Sequence, residues 1–137
     1  MAGRACRYNG TAKPNEEMTA LAQSGEAVLF CPEALAGLKI PRPPAEIVGG
    51  DGFDVLNGKA RVVNKNGEDI TEEFIRGAER VLELVKKSDV SIVYMKERSP
   101  SCGVMQIYDG SFSDCVIHGC GVTAALLLRN GVAVRGL

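Results

Sequence analysis

Residues 99–103, with the sequence Ser-Pro-Ser-Cys-Gly, place a cysteine shortly after an apolar, β-branched run at residues 91–95. Such a run is typical of a buried strand. Pro100 fixes its own φ and lacks an amide donor, and Gly103 permits close backbone approach or a positive φ. The sequence therefore predicts that the Cys102 thiol is held on a stiff turn at the end of a strand, where open α/β sheets bind their ligands.

A second cysteine follows a strand in the same way. Residues 27–30 predict a strand, and Cys31, Pro32 and Glu33 come directly after it. Because ligand sites in such sheets lie at the ends of the strands, Cys31 and Cys102 are expected to face one crevice. A thiolate can act there as a nucleophile or as a metal ligand. Buried and inert cysteines are the alternative at both positions.

The composition excludes several classes of protein. The chain has 16 basic and 17 acidic residues, with a formal net charge of -1. This balance argues against a broad basic surface that binds nucleic acid through its phosphates. No apolar run approaches the roughly 20 residues of a membrane span. No charged-then-apolar signal segment opens the chain. We therefore expect a cytoplasmic protein.

The use of cysteine points away from disulfides. The chain contains 5 cysteines, an odd number, and no Cys-x-x-Cys pair. Without an export signal, this pattern disfavours a disulfide framework and leaves metal binding, catalysis or burial. Any metal site must therefore gather its ligands from distant loops.

Alternating strands and helices predict an α/β fold, with a single three-layer, Rossmann-like domain over residues 1–137 and a mainly parallel sheet. The longest helix is expected to begin at Asp69 or Thr71 and to run to about residue 87, because apolar residues recur there at three-and-four spacing. The pair Asn57-Gly58 predicts a hairpin over residues 54–63, and residues 36–54 predict a long ordered loop. The remaining elements are expected at residues 15–24 (helix), 104–108 (extended), 119–129 (helix) and 132–135 (strand).

Six motifs follow one another along the chain: Cys6-Arg-Tyr-Asn-Gly10, Cys31-Pro-Glu33, Pro41-Arg-Pro-Pro-Ala-Glu-Ile47, Asp69-Ile-Thr71, Ser99-Pro-Ser-Cys-Gly103 and Gly121-Val-Thr-Ala-Ala-Leu-Leu127. Together they resemble the DUF523 family, which includes the thiouracil desulfidases. The resemblance covers essentially the whole chain, and the motifs stand in the family's order.

The resemblance implies a [4Fe-4S] cluster that is bound by three cysteines and keeps one iron open to the sulfur of the substrate. Cys31 and Cys102 match two of these ligands. The third ligand belongs to a turn after a first strand, and both this N-terminal strand and its cysteine are expected to be missing from the chain. Cys6 is the residue that would replace it as third ligand.

Polar side chains beside the two thiols are the candidate catalytic groups. Glu33 is suited to protonating the substrate ring or to activating the water that replaces sulfur. Ser101 is suited to orienting that water, and Ser99 is its alternative. As the structural alternative, such residues serve as helix caps.

Three further side chains are suited to hydrogen bonding or stacking on a flat heterocycle: Arg7, Tyr8 and Arg42. As the alternative, these three residues are solvated loop residues. Cys115 and Cys120 depart from the family pattern, and Cys120 is expected to be a small buried residue at the start of a helix. His118 is expected to lie in a glycine-rich turn rather than to act as a base or ligand.

The leading hypothesis is therefore an iron–sulfur enzyme that removes sulfur from a thiolated pyrimidine such as thiouracil and releases sulfide without net redox change. A free base or nucleoside suits the charge balance better than a nucleic acid. The alternative is a non-catalytic metal-binding or redox-sensing domain that uses the same thiols. A third hypothesis is an inactive truncated family member or a homodimer, because loss of a strand exposes a sheet edge.

Overall fold

The computed structural model describes Ala20 and residues 30–137. Four helices are present in residues 30–137: α1 (Pro32–Leu35), α2 (Gly52–Leu56), α3 (Thr71–Lys87) and α4 (Val122–Arg129). Six strands accompany them: β1 (Ala45–Val48), β2 (Arg61–Asn64), β3 (Val93–Met95), β4 (Gln106–Tyr108), β5 (Val116–His118) and β6 (Val134–Gly136). The helix predicted at residues 15–24 and the strand predicted at residues 27–30 lie outside the described residues, apart from Ala20 and Phe30.

The strands of this region pair two by two. β1 pairs with β2 and β4 with β5 in antiparallel fashion, whereas β3 and β6 are parallel. The predicted α/β class is confirmed. Parallel pairing within residues 30–137 is confined to β3 and β6. β3 is the strand that precedes the cysteine turn at residues 99–103.

Helix α3 confirms the longest predicted helix. The Asp69 carboxylate accepts hydrogen bonds from the Thr71 amide (3.0 Å) and hydroxyl (2.6 Å), which supports the first turn. Acidic residues fill that turn and Lys86 and Lys87 fill the last one, as the helix dipole favours. The apolar face is buried at the spacing seen in the sequence: Phe74, Ala78, Val81 and Val85.

The predicted hairpin at residues 54–63 is wrong, and so is the uninterrupted loop at residues 36–54. Asp51 caps a short helix instead: its side chain accepts from the amides of Phe53 and Asp54, while Asp54 accepts from the Asp51 amide. This capping box starts α2, and Asn57-Gly58 ends it. β2 therefore pairs with β1, a strand inside the predicted loop.

Two apolar clusters form the core, and α4 contributes to both. Val122 lies in the cluster built around Ile47 and Phe74. The other cluster contains Val81, Met95, Cys120, Ala124, Ala125 and Leu127, and Cys102 packs against it. The start of α4 and the cysteine turn are thereby set against one buried surface. No helix in the described part of the chain is long and apolar enough to cross a membrane.

Candidate functional site

The turn at residues 99–103 is closed by its own hydrogen bonds. The Ser99 Oγ accepts from the amides of Ser101 (3.1 Å) and Cys102 (3.0 Å). The Gly103 amide donates to the Ser99 carbonyl at 2.9 Å. Serine hydroxyls commonly stabilise turns in this way. The Cys102 backbone is therefore fixed from within its own turn.

The start of α4 holds the same turn from outside. The Val122 amide donates to the Pro100 carbonyl (2.8 Å), and the Thr123 and Ala124 amides both donate to the Ser101 carbonyl (2.9 and 3.2 Å). These are amides that have no partner within a helix, so the turn occupies the helix N-terminus. Gly121 lies against the Ser101 backbone so closely that a β-carbon at that position would overlap it.

The Cys31 segment is a single helical turn. Cys31 is the N-cap of α1, Pro32 takes the first helical position, and Glu33 lies in the first turn. Proline suits that position because its missing amide has no helical partner there. Cys31 is nearly buried, at 9% exposure.

Cys31, Glu33 and Cys102 come together in the structure. The pKa of the Cys102 thiol is raised to about 12, first by burial and then by the nearby Glu33 carboxylate and Cys31 side chain, while the Ser101 and Ser99 hydroxyls act in the opposite direction. The three side chains therefore lie in one part of the structure.

Arg42 binds Glu33 and so belongs to this site rather than to a solvated loop. Its Nε and Nη2 atoms each donate to Glu33 Oε2 at 2.6 Å, and Nη1 donates to the Lys39 carbonyl at 3.2 Å. Both side chains of the ion pair are largely buried. Because both nitrogen atoms converge on Oε2, the guanidinium fixes the orientation of the carboxylate.

The Ser101 side chain points into the protein. Its hydroxyl lies 2.8 Å from the Thr123 hydroxyl, and both residues are buried, with 1% and 0% exposure. Sequence reasoning missed Thr123. Its signal was present, because a hydroxyl in the first turn of a mostly apolar helix needs a buried partner.

Sequence reasoning also missed Glu97, which binds the backbone of residues 104–106, just after the cysteine turn. Its carboxylate accepts from the amides of Val104 (2.8 Å), Met105 (2.9 Å) and Gln106 (3.2 Å). A carboxylate two residues before a glycine- and serine-rich turn is a common solvated residue, so no local pattern singled it out.

The other candidates lie elsewhere or outside the described residues. Cys6, Arg7 and Tyr8 are outside them. Cys115 is exposed. The prediction of a turn at His118 is wrong, because His118 ends β5 opposite Gln106. Cys120 is buried as predicted, and burial together with the Asp51 carboxylate raises the pKa of its thiol to about 11.

The donor chemistry of the site fits part of an iron–sulfur centre. Thiolates are the usual ligands of such clusters, and Cys31 and Cys102 are two cysteines that lie near each other. Within Ala20 and residues 30–137, no group of three or more His, Cys, Asp or Glu side chains is arranged to hold a metal ion. A cluster bound by three thiolates would therefore need a ligand from outside that part of the chain.

Comparison with known proteins gives three findings. The family model described as 2-thiouracil desulfurase matches residues 1–136. An uncharacterized protein of Bacillus subtilis (strain 168), YbbK, is 48% identical over 134 residues, which span 98% of this chain and 89% of that protein. A solved structure, the [4Fe-4S]-dependent thiouracil desulfidase TudS, superposes with a TM-score of 0.84 at 40% identity, covering 98% of this chain and 83% of that one.

Proposed function

Because the chain belongs to the 2-thiouracil desulfurase family, we propose that it removes the sulfur atom of a thiolated pyrimidine such as thiouracil. Water supplies the oxygen that replaces sulfur, so a thiocarbonyl and water give a carbonyl and hydrogen sulfide with no net redox change. The observation that supports this most directly is the meeting of Cys31, Glu33 and Cys102 in one place. The likeness to TudS extends that support to the cofactor.

We assign Cys31 and Cys102 as two ligands of a [4Fe-4S] cluster, with Cys6 as the candidate third ligand. The cluster, when bound, supplies an iron that acts as a Lewis acid toward the thiocarbonyl sulfur. The protein supplies two thiolates from segments that are far apart in the chain.

Glu33 is the proposed catalytic group. Its carboxylate lies close enough to Cys102 to raise the pKa of that thiol. Arg42 holds the carboxylate through Oε2. Oε1 is then the oxygen that accepts a proton from the attacking water or a hydrogen bond from the substrate ring. Arg42 is a positioning residue, because it reaches the substrate through Glu33.

Ser101 was a second candidate for orienting water, with Ser99 as its alternative. The Ser99 hydroxyl accepts two amides of its own turn, the Ser101 hydroxyl is bonded to Thr123, and both lower the pKa of Cys102. We therefore assign them to the thiolate rather than to the substrate. A free base or nucleoside as substrate and a cytoplasmic location stay predictions that rest on the charge balance and the cysteine usage.

The test is anaerobic reconstitution with iron and sulfide, followed by incubation with thiouracil. We expect uracil by chromatography and an equal amount of sulfide. Cys31→Ala and Cys102→Ala should lose bound iron and turnover together, whereas Glu33→Gln should keep iron and lose turnover. Cys115→Ala, at an exposed thiol, is the matched control and should keep both.

Two outcomes would contradict the proposal. Bound iron without sulfide release from any thiopyrimidine would favour a non-catalytic metal-binding or redox-sensing domain. Turnover that survives loss of either Cys31 or Cys102 would remove these residues from the site.

A further inference from the structure

The Glu97 carboxylate binds the first backbone amides that follow the cysteine turn. Its Oε1 atom accepts from the amides of Val104 (2.8 Å), Met105 (2.9 Å) and Gln106 (3.2 Å), and Oε2 accepts from Met105 at 3.2 Å. Successive amides that converge on one point form a concave site that favours an anion. Hydrogen bonds to a charged acceptor are also stronger than neutral ones. The side chain of Glu97 thus joins the end of β3 to the start of β4.

The backbone closes the same segment beside Glu97. The Arg98 amide donates to the Gln106 carbonyl at 3.0 Å, so the chain leaves β3 and returns to it at the start of β4. Arg98 has a positive φ of 61°, a conformation that a non-glycine residue adopts only where its surroundings hold it. The turn at residues 99–103 lies between these two tied ends. Cys102 is therefore carried by a loop whose exit is held by Glu97.

The last strand leaves room for this carboxylate. A β-carbon at Gly136 would overlap Glu97 Oε2. Gly136 is paired with Met95 in the parallel ladder of β3 and β6, so strand pairing fixes the position of its backbone. A methyl group at residue 136 would displace the carboxylate from the amides and leave its charge intact. The contact can therefore be released from either side, by changing Glu97 or by changing Gly136.

We propose that Glu97 is a positioning residue for Cys102: its carboxylate ties residues 104–106 to the end of β3 and thereby fixes the turn that presents the Cys102 thiol. Its consequence for a cluster rests on the proposed function, in which Cys102 is a ligand. Groups that orient a ligand without touching the metal strengthen metal binding. Glu97 acts on the thiol through the backbone of the loop.

Glu46 provides a matched control in another part of the structure. Its Oε1 atom accepts from the amides of Gly110 (2.9 Å) and Phe112 (3.2 Å), and the residue is buried. It too holds a loop through one carboxylate and successive backbone amides. That loop follows β4 and contains no proposed ligand. Loss of the Glu46 charge should therefore disturb the protein in the same way and leave Cys102 in place.

The first experiment measures alkylation of Cys102 by iodoacetamide in unloaded protein, followed by digestion and mass spectrometry. Cys102 is half-buried and packs against the core, so the reagent reaches its sulfur mainly when the turn moves. Glu97→Gln keeps the length of the side chain and one oxygen but removes the charge. We expect alkylation of Cys102 to become about tenfold faster in Glu97→Gln and to keep its wild-type rate in Glu46→Gln.

Gly136→Ala tests the same contact without changing Glu97. We expect it to speed alkylation of Cys102 as well, because the methyl group displaces the carboxylate. In the Glu97→Gln background, Gly136→Ala should add little, since the contact is already weakened. A substitution that only destabilised the fold would add its full effect in both backgrounds.

The second experiment follows iron in reconstituted protein. Bathophenanthroline should remove iron severalfold faster from Glu97→Gln than from wild type, and at the wild-type rate from Glu46→Gln. Equal Cys102 alkylation in wild type, Glu97→Gln and Gly136→Ala would overturn the proposal, and so would an equal rise in Glu46→Gln. If Glu97→Gln does not fold, Gly136→Ala decides alone. Protein that binds no iron counts against the proposed function only, because the alkylation rates need no cluster.

Discussion

The two cysteine-bearing segments are held in different ways. The turn at residues 99–103 is held mainly by backbone atoms: carbonyls of the turn accept the first amides of α4, and Gly121 packs directly on the Ser101 backbone. The Cys31 segment is a single turn of helix. Its backbone at Pro32 lies close against Gly77 of α3, and side chains of α3 add hydrogen bonds to it. Arg76 and Arg80 of α3 donate to the Ala36 and Leu35 carbonyls.

The ion pair between Arg42 and Glu33 adds to the hold on the Cys31 segment. Both segments therefore pack closely on a glycine, and they differ in the hydrogen bonds that hold them. A shift of the Cys102 turn would break several backbone bonds to α4 at once, whereas the Cys31 segment receives bonds from α3 through the Arg76 and Arg80 side chains. We expect disturbance of the backbone contacts to cost more than loss of a single side-chain bond.

The largest effect is expected from Gly121→Ala. The new methyl group would overlap the Ser101 backbone, and neither backbone can move without losing the hydrogen bonds between the turn and α4. We expect a loss of about 2–4 kcal/mol in the free energy of unfolding, measured by urea denaturation. Gly67→Ala is the control, because its β-carbon would meet nothing and only the positive φ is strained; a loss as large there would contradict the contrast.

A smaller effect on stability is expected from Arg42→Met. The change leaves the largely buried Glu33 carboxylate without its guanidinium and should cost about 2 kcal/mol. Turnover should fall more than stability does, since the carboxylate loses its orientation. Arg42→Lys should restore the charge but only part of the turnover, because an ammonium lacks the planar fork of a guanidinium. Full activity in Arg42→Met would show that Glu33 needs no such support.

The smallest effect is expected from Arg76→Met on α3. It removes one hydrogen bond to the Ala36 carbonyl, at 3.1 Å, and should cost about 0.5–1 kcal/mol. Arg61→Met, at an exposed position on β2, serves as the surface control. If Arg76→Met destabilised the protein as much as Gly121→Ala, the two kinds of contact would contribute equally to stability, and the comparison would fail.

Local sequence patterns predicted the structure correctly where the interactions that stabilise a segment lie within that segment. The apolar spacing of residues 71–87 predicted α3, and the Ser-Pro-Ser-Cys-Gly turn is stabilised by its own Ser99 hydroxyl. The same reasoning failed at Asn57-Gly58. A hairpin turn and a helix end both favour that pair, and the capping box at Asp51, six residues earlier, decided between them.

The sequence by itself singled out Cys31, Glu33, Ser101 and Cys102 as candidate site residues, and its motifs indicated the family. Only the tertiary structure decided their partners: Arg42 for Glu33, Thr123 for Ser101, and the Glu97 carboxylate for the amides of residues 104–106. The physical reason is that a side chain's type is local, whereas its hydrogen-bond partner depends on which segment packing brings within about 3 Å. The Ser101–Thr123 pair, 22 residues apart, exists only because α4 begins on the cysteine turn.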